Sequence, residues 1–354
     1  MPRLHELFHY LRDHGGSDLH LAAGLEPRIR LHGSLVSVEG WTTLDEAPID
    51  ELLREIVSEE QWTDYRASGD LDFAYGLAGV ARFRANFLRQ GNGPAAVFRI
   101  IPEDIVPIEQ LALPPAIETL AHLHQGLVLV TGPTGSGKST TLAAIIDKIN
   151  STYPKHVVTI EDPIEFVHKN RRCVFSHREL GRDTESFAAA LRSAIRQDAD
   201  VILVGEMRDL ETIALAITAA EMGSLVFGTL HTNGAANTID RLIDAFPADE
   251  QAQVRTTLSE SLAAVVSQLL LKTADGRGRV AANEILLKTS GLPNVIREGN
   301  TPMIATIIQG GRSQGMQRMD DALLSLVQSK RITPRDAYMK ATDKQKFEQM
   351  IEDE

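Results

Sequence analysis

Gly126-Leu-Val-Leu-Val-Thr-Gly132-Pro-Thr-Gly135-Ser-Gly137-Lys138-Ser139-Thr-Thr141 is the stretch that decides the fold. The apolar run Leu127–Thr131 reads as a buried strand, and Lys138–Asn150 reads as a helix, so a glycine-rich loop joins strand to helix. That is the setting of a phosphate-binding loop. The glycines let backbone N–H groups turn inward toward phosphate oxygens, and the helix start adds positive partial charge. The candidate nucleotide-binding residues are Gly132, Pro133, Thr134, Gly135, Ser136, Gly137, Lys138, Ser139 and Thr140. Lys138 would reach the β- and γ-phosphates of ATP, and the Ser139 hydroxyl would bind Mg²⁺. The bland alternative, a Gly/Ser-rich turn with a chance lysine, loses to this context.

Downstream, strand and helix alternate. His156–Ile160, Val201–Val204 and Leu225–Thr229 read as strands, and Thr184–Arg196 and Leu210–Met222 as helices. The fold class is therefore α/β, with a parallel or mostly parallel sheet covered by helices. From about residue 290 the chain reads as helical. Met316, Met319, Leu323 and Leu326 form an apolar stripe on that part.

Two acidic clusters follow strands, as active-site acids of such sheets do. One is Thr159-Ile-Glu-Asp162-Pro-Ile-Glu165 and the other Asp200-Val-Ile-Leu-Val-Gly-Glu206-Met-Arg-Asp209. Phosphoryl transfer to water needs a group that orients and deprotonates the water, and another that supports Mg²⁺. Spacing does not assign the two roles. Gly228-Thr-Leu-His231-Thr-Asn233 is a third polar cluster past a strand. His231 fits either a sensor of the γ-phosphate or a loop histidine satisfied by its neighbours.

Upstream, the first third reads as mixed α/β. Leu19–Leu21 and Arg28–Leu31 are short strands, and Asp45–Val57 and Glu59–Ala67 have helical spacing. Gly79–Phe87 alternates, with Ala81, Phe83, Ala85 and Phe87 on one face and Val80, Arg82, Arg84 and Asn86 on the other. A turn at Gly91–Pro94 would lead into a second strand, Ala95–Ile101, completing a hairpin. Arg84 and Arg99 lie on its two strands; on pattern alone they read as a solvated basic face. Pro102, Pro107, Pro114 and Pro115 mark a linker at 102–114 between an N-terminal domain, 1–101, and a second domain, 115–354.

Composition narrows the function. Net charge is −12, which speaks against a motor that tracks nucleic acid. Residues 1–112 hold ten arginines, no lysine and 18 acids. No apolar window approaches the roughly 18 residues of a membrane span, and the charged N-terminus lacks a signal-peptide core, so a cytosolic chain is expected. A single cysteine, Cys173, excludes an internal disulfide or a cysteine-based zinc cluster. It reads as a small buried apolar residue.

Taken together, the phosphate loop, Thr159–Glu165, Ile202–Asp209 and Gly228–Asn233 resemble the secretion ATPase superfamily, and within it the retraction ATPases of type IV pili. The resemblance runs from Ser17-Asp-Leu-His-Leu21 to Met316-Gln-Arg-Met-Asp-Asp321. It implies an N-terminal PAS-like domain, a RecA-like ATPase domain with a helical C-terminal part, and a homohexameric ring that hydrolyses ATP with Mg²⁺ to drive pilus retraction and twitching motility. By resemblance, Glu165 is the catalytic glutamate, Glu206 the atypical Walker B glutamate and His231 the histidine box. Arg84 and Arg99 would reach a neighbouring subunit's nucleotide, and Arg192 and Arg196 fall in a segment that approaches the interface.

The implied partners are further copies of the chain, an inner-membrane platform protein and, indirectly, pilin; no nucleic acid is implied. The implied location is cytoplasmic, at the cytoplasmic face of the bacterial inner membrane, through protein partners. The alternatives are an accessory retraction paralogue and a pilus assembly or type II secretion ATPase. Those assembly types usually carry a four-cysteine element and an extra N-terminal domain, which one cysteine and about 100 residues before the linker do not match. Two departures from the resemblance stand out. Ser290-Gly-Leu-Pro-Asn-Val-Ile-Arg297 replaces an Ala-Ile-Arg-Asn-Leu-Ile-Arg-like segment, and Asp198-Ala199-Asp200 lacks the usual middle proline.

Overall fold

The computed structural model describes residues 3–31, 33–101 and 104–352. The start of the expected linker, 102 and 103, lies outside the described residues. The chain divides into two compact units: 1–104 with 163–167, and 105–162 with 168–354.

The first unit runs α1 (Arg3–Asp13), β1 (Asp18–Ala22), β2 (Arg28–Leu31), β3 (Ser34–Ser37), α2 (Glu46–Arg54), α3 (Glu59–Ser68), β4 (Asp70–Leu77), β5 (Ala81–Gln90) and β6 (Gly93–Ile101). Its strands form one antiparallel sheet in the order β3-β2-β1-β6-β5-β4. The alternation of β5 works as expected: Ala81, Phe83, Ala85 and Phe87 are buried. Leu4, Leu7, Phe8 and Leu11 on α1 recur at helical spacing and cover that face. The Phe8 ring stacks on Phe83 at 4.1 Å and meets Phe98 edge-on at 5.0 Å.

The expected hairpin forms, but its turn is tighter than Gly91–Pro94. Pro94 pairs with Arg89 inside the ladder, which leaves Gly91 and Asn92 as the loop. The expected helix at Glu59–Ala67 is closed by a capping box, in which the Ser58 hydroxyl and the Gln61 side chain satisfy each other's backbone N–H. Helix α1 and strands β3 and β4 were not among the expected elements. Strand β3 is exposed throughout, and β4 is a half-exposed edge, so neither carries a clean apolar alternation.

The second unit runs α4 (Pro115–Thr119), β7 (Gly126–Thr131), α5 (Lys138–Thr152), β8 (His156–Glu161), β9 (Val174–Glu179), α6 (Phe187–Ala194), β10 (Val201–Val204), α7 (Leu210–Glu221) and β11 (Leu225–Leu230). There follow α8 (Ala235–Asp244), α9 (Gln251–Ser261), β12 (Leu262–Lys272), β13 (Arg279–Leu287), α10 (Leu292–Arg297), α11 (Ile304–Gly310), α12 (Met319–Gln328), α13 (Pro334–Lys340) and α14 (Gln345–Glu352). The sheet order is β13-β12-β7-β11-β10-β8-β9, and every described pair is parallel except β12 with β13. Strands β7, β10 and β11 are buried along their whole length, which is why they read as unbroken apolar runs.

Several expectations need adjustment. The helix expected over Thr184–Arg196 spans only Phe187–Ala194, because the Ser186 hydroxyl accepts from Ala189 N at 3.0 Å and starts it late. The methionine–leucine stripe is split. Met316 precedes α12 and packs with Ile304 and Ile308, whereas Leu323 and Leu326 pack with Phe347. Cys173 is buried just before β9, as expected of a small apolar residue; burial raises its thiol pKa, and Sγ donates to the Tyr153 carbonyl at 3.1 Å. No helix of the described residues is long and apolar enough to cross a membrane.

Candidate active site

The site in the second unit is built at the C-terminal ends of adjacent strands. Strand β11 lies between β7 and β10, so the residues that follow these three strands are neighbours. The loop after β7 bends on glycines that no other residue could replace without strain. Gly132 has φ +140°, and a Cβ there would stand 2.2 Å from the Gln268 carbonyl oxygen. Lys138 opens α5 and is buried; its Nζ donates to the carbonyls of Gly132 at 2.9 Å and Pro133 at 3.2 Å. Its ammonium is thus held against the loop itself. Ser139 follows in the first turn, half-buried.

Glu206 follows β10, and His231 follows β11. His231 Nε2 and Glu206 Oε1 are 3.2 Å apart, and Arg208 Nη2 donates to Glu206 Oε2 at 2.6 Å. The Glu206 pKa is lowered, first by the hydrogen bond from Arg208 and further by the electrostatic influence of Arg208, His231 and Lys138, against an opposing effect of burial. A carboxylate kept ionised beside the phosphate loop and the nearby Ser139 hydroxyl are hard oxygen donors of the kind Mg²⁺ takes together with phosphate oxygens. Among the described residues, no group of three or more His, Cys, Asp or Glu side chains could hold a metal alone.

The structure sorts the acids that spacing left equivalent. Asp209 caps α7, its two oxygens accepting from Thr212 N and Thr212 Oγ1 at 2.8 Å each. Asp200 accepts from His156 N at 2.8 Å. Both are structural. Glu161 is buried at the end of β8, Asp162 is exposed, and Glu165 is exposed within 163–167, the segment that groups with the first unit. His231 is paired with Glu206.

In the first unit, Arg84 and Arg99 are direct register partners across β5 and β6. Arg84 grips Asp72 with both Nε (3.2 Å) and Nη2 (2.5 Å). Arg99 Nε donates to Asp18 at 2.7 Å. Asp18 is buried; burial would raise its carboxyl pKa, but hydrogen bonds from Ser17 and Arg99 outweigh that and lower it. Within Ser17-Asp-Leu-His-Leu21, Asp18 holds Arg99 and Ser17 supports Asp18. Elsewhere, Arg192 is engaged by Glu211, and Arg196 is exposed. Sequence reasoning missed Arg208, although it lies two residues beyond Glu206 in a cluster already singled out.

The family model for type II/IV secretion system proteins matches residues 26–351. The chain belongs to that family. Among secretion family relatives, it is 49% identical over 342 residues to the type IV pilus retraction ATPase PilT of Pseudomonas aeruginosa, covering 97% of this chain and 99% of that one. It is 38% identical to the type IV pilus ATPase PilU of the same organism, covering 98% and 90%. The crystal structure of the pilus retraction motor PilT with bound ADP superposes with a TM-score of 0.91 at 42% identity, covering 99% of both chains. The expected α/β class, with an N-terminal unit followed by the family's RecA-like core and a helical C-terminal part, holds.

The departing segment Ser290–Arg297 contains helix α10. Pro293 falls in the first turn of α10, where its missing N–H costs no helical hydrogen bond. Arg297 is tied to Glu260 at 2.9 Å and to Asn294. At Asp198, the φ of +54° places the residue in the left-handed region, which aspartate tolerates.

Proposed function

We propose that this chain is an ATP-hydrolysing motor of type IV pilus retraction, working as a homohexameric ring. The observation that carries the reading is the paired site on the ends of β7, β10 and β11: a phosphate loop with Lys138 seated in it, and the Glu206–His231 contact beside it. The 49% identity to a retraction ATPase over nearly the whole chain supports the biological role.

In this reading Gly132–Thr140 cradle the phosphates of ATP and Lys138 meets the β- and γ-phosphates. Glu165 takes a proton from the attacking water as the bond from the γ-phosphorus to the bridging oxygen breaks, releasing ADP and phosphate. Ser139 and Glu206 would hold Mg²⁺, which when bound neutralises phosphate charge. His231 positions Glu206. Arg84 and Arg99 serve the nucleotide of a neighbouring copy. The domain boundary at 102–114 lets turnover become movement, delivered through an inner-membrane platform protein to pilin at the cytoplasmic face of the inner membrane.

Steady-state ATPase of the Glu165→Gln and Lys138→Ala variants tests the chemistry; both are expected to be nearly inactive, and near wild-type turnover in either would overturn the assignment. Deleting the gene tests the role: cells should keep abundant surface pili and lose twitching. A second reading, an accessory retraction paralogue, is favoured by the altered Ser290–Arg297 segment. Expression of this chain alone in cells lacking every retraction ATPase separates the two. A motor restores twitching by itself, whereas an accessory paralogue does so only alongside a second ATPase.

A further inference from the structure

Gln268 lies on β12, far from the phosphate loop in sequence and almost fully buried, at 2% exposure. Buried amides are tolerated when both ends are satisfied. Here both ends are used, and two of the three partners belong to the loop and the helix behind it. Nε2 donates to the Ser136 carbonyl at 2.7 Å. Oε1 accepts from Thr141 Oγ1 at 2.9 Å and from Asn283 Nδ2, on β13, at 2.9 Å. One side chain therefore ties the middle of the phosphate loop to the first turn of α5 and to the neighbouring strand.

The same residue also closes on two of the loop's glycines. Its carbonyl oxygen occupies the space that a Cβ on Gly132 would need, and its Nε2 stands 2.9 Å from where a Cβ on Gly137 would be. The loop is wrapped around Gln268. Two of its glycines are required by that close approach as well as by their left-handed backbone, with φ of +140° and +86°.

We infer that Gln268 is a positioning residue for the nucleotide: its amide holds the Ser136 carbonyl outward and fixes the start of α5. The loop N–H groups and Lys138 are then arranged before nucleotide arrives. The inference rests on the nucleotide reading above. A loop that must be ordered by its ligand binds less tightly, because the competent conformer is only a fraction of the population. Loss of Gln268 should therefore weaken nucleotide affinity in protein that is still folded. A residue that only filled the core would lower stability and leave the affinity of the folded protein alone.

The probe is ADP, titrated calorimetrically into the full-length chain, with the melting temperature of the nucleotide-free protein measured in parallel. Gln268→Glu keeps the acceptor for Thr141 and Asn283 but sets a carboxylate against the Ser136 carbonyl. Gln268→Met keeps the length and loses all three hydrogen bonds. Both should raise the ADP dissociation constant about tenfold or more, as expected for a buried hydrogen bond left unmade. Thr141→Val removes one bond of the three and nearly keeps the shape, so it guards against variants that fail to fold; an increase of about threefold in the dissociation constant is expected in protein that remains folded.

Wild-type binding with an ADP affinity within twofold of wild type in folded Gln268→Glu, or in Thr141→Val should Gln268→Glu not fold, overturns this inference and leaves the nucleotide reading standing. A wild-type chain that binds no ADP overturns the nucleotide reading and this inference with it.

Discussion

The phosphate loop and the arginine pair on β5 and β6 present charge in opposite ways. In the loop, the positive groups are backbone N–H groups and one buried lysine, held by main-chain carbonyls and by the amide of Gln268. On the hairpin, the charges are long side chains on an exposed sheet face; the Arg99 side chain is 69% exposed, and carboxylates steady the arginines, Asp72 holding Arg84 and Asp18 holding Arg99. A backbone-built site is rigid and intolerant of any added atom. A cluster built from side chains is adaptable, and its members can be altered one at a time.

That contrast can be broken at several points. Gly132→Ala should have the largest effect, because the new methyl group meets a main-chain oxygen at 2.2 Å and the loop must open; ADP binding and ATPase activity should fall by roughly 100-fold or more. Arg99→Ala should lower ATPase activity by about 10- to 100-fold, the worth of one charge-assisted hydrogen bond, and should also lower the melting temperature, because the buried Asp18 carboxylate loses this partner. If the arginines act between subunits, mixing Arg84→Ala with Lys138→Ala protein should restore part of the activity of intact rings. No rescue would move Arg84 out of the site.

Asp18→Asn should act more gently, by about threefold to fivefold on ATPase activity, because Arg99 keeps its charge and loses only its ionised anchor. The Asp18 carboxyl pKa is lowered in the fold, so its contribution to stability is present above the usual carboxylate range and is lost only in strong acid as pH falls through the folded value. At neutral pH the variant should therefore show reduced stability as well as reduced activity.

His168 extends the comparison to a buried titratable group. It stacks on Phe175 at 4.9 Å, and its pKa is lowered to about 3, first by burial and then by the charges of His177 and Arg171. Between pH 6.5 and 3 the unfolded chain binds a proton there that the folded chain does not, so stability falls as pH drops. At pH 5 the cost is about 2 kcal/mol. Melting temperature should decline from pH 7 to pH 5 in the wild-type chain and decline less in His168→Phe.

The same contrast explains what could be read from the chain. Local chemistry that forces an unusual backbone leaves a local signature, which is why Gly132–Ser139 was plain. Strands buried on both faces were plain for a similar reason: β7, β10 and β11 have no polar position to interrupt them. Strand β3 was invisible to patterning, being exposed along its length, whereas helix α1 carried a legible stripe of Leu4, Leu7, Phe8 and Leu11 that the reading passed over. The acids were visible as a group but not by role. Only the hydrogen bonds of Asp209 to Thr212 and of Asp200 to His156 separate scaffold from site.

By itself the amino-acid sequence determined the α/β class, the phosphate loop with Lys138 and Ser139, and the family. These depend on residue type within a few positions along the chain. Tertiary structure alone decided that His231 meets Glu206, that Arg84 stands opposite Arg99, and that Gln268 closes on Ser136 and Thr141. Those contacts join residues that are distant in sequence and near only after strands pair in the order β12-β7-β11-β10 and β1-β6-β5. Hydrogen bonds and ion pairs act over a few ångströms of space, and that proximity exists only once the sheets have formed.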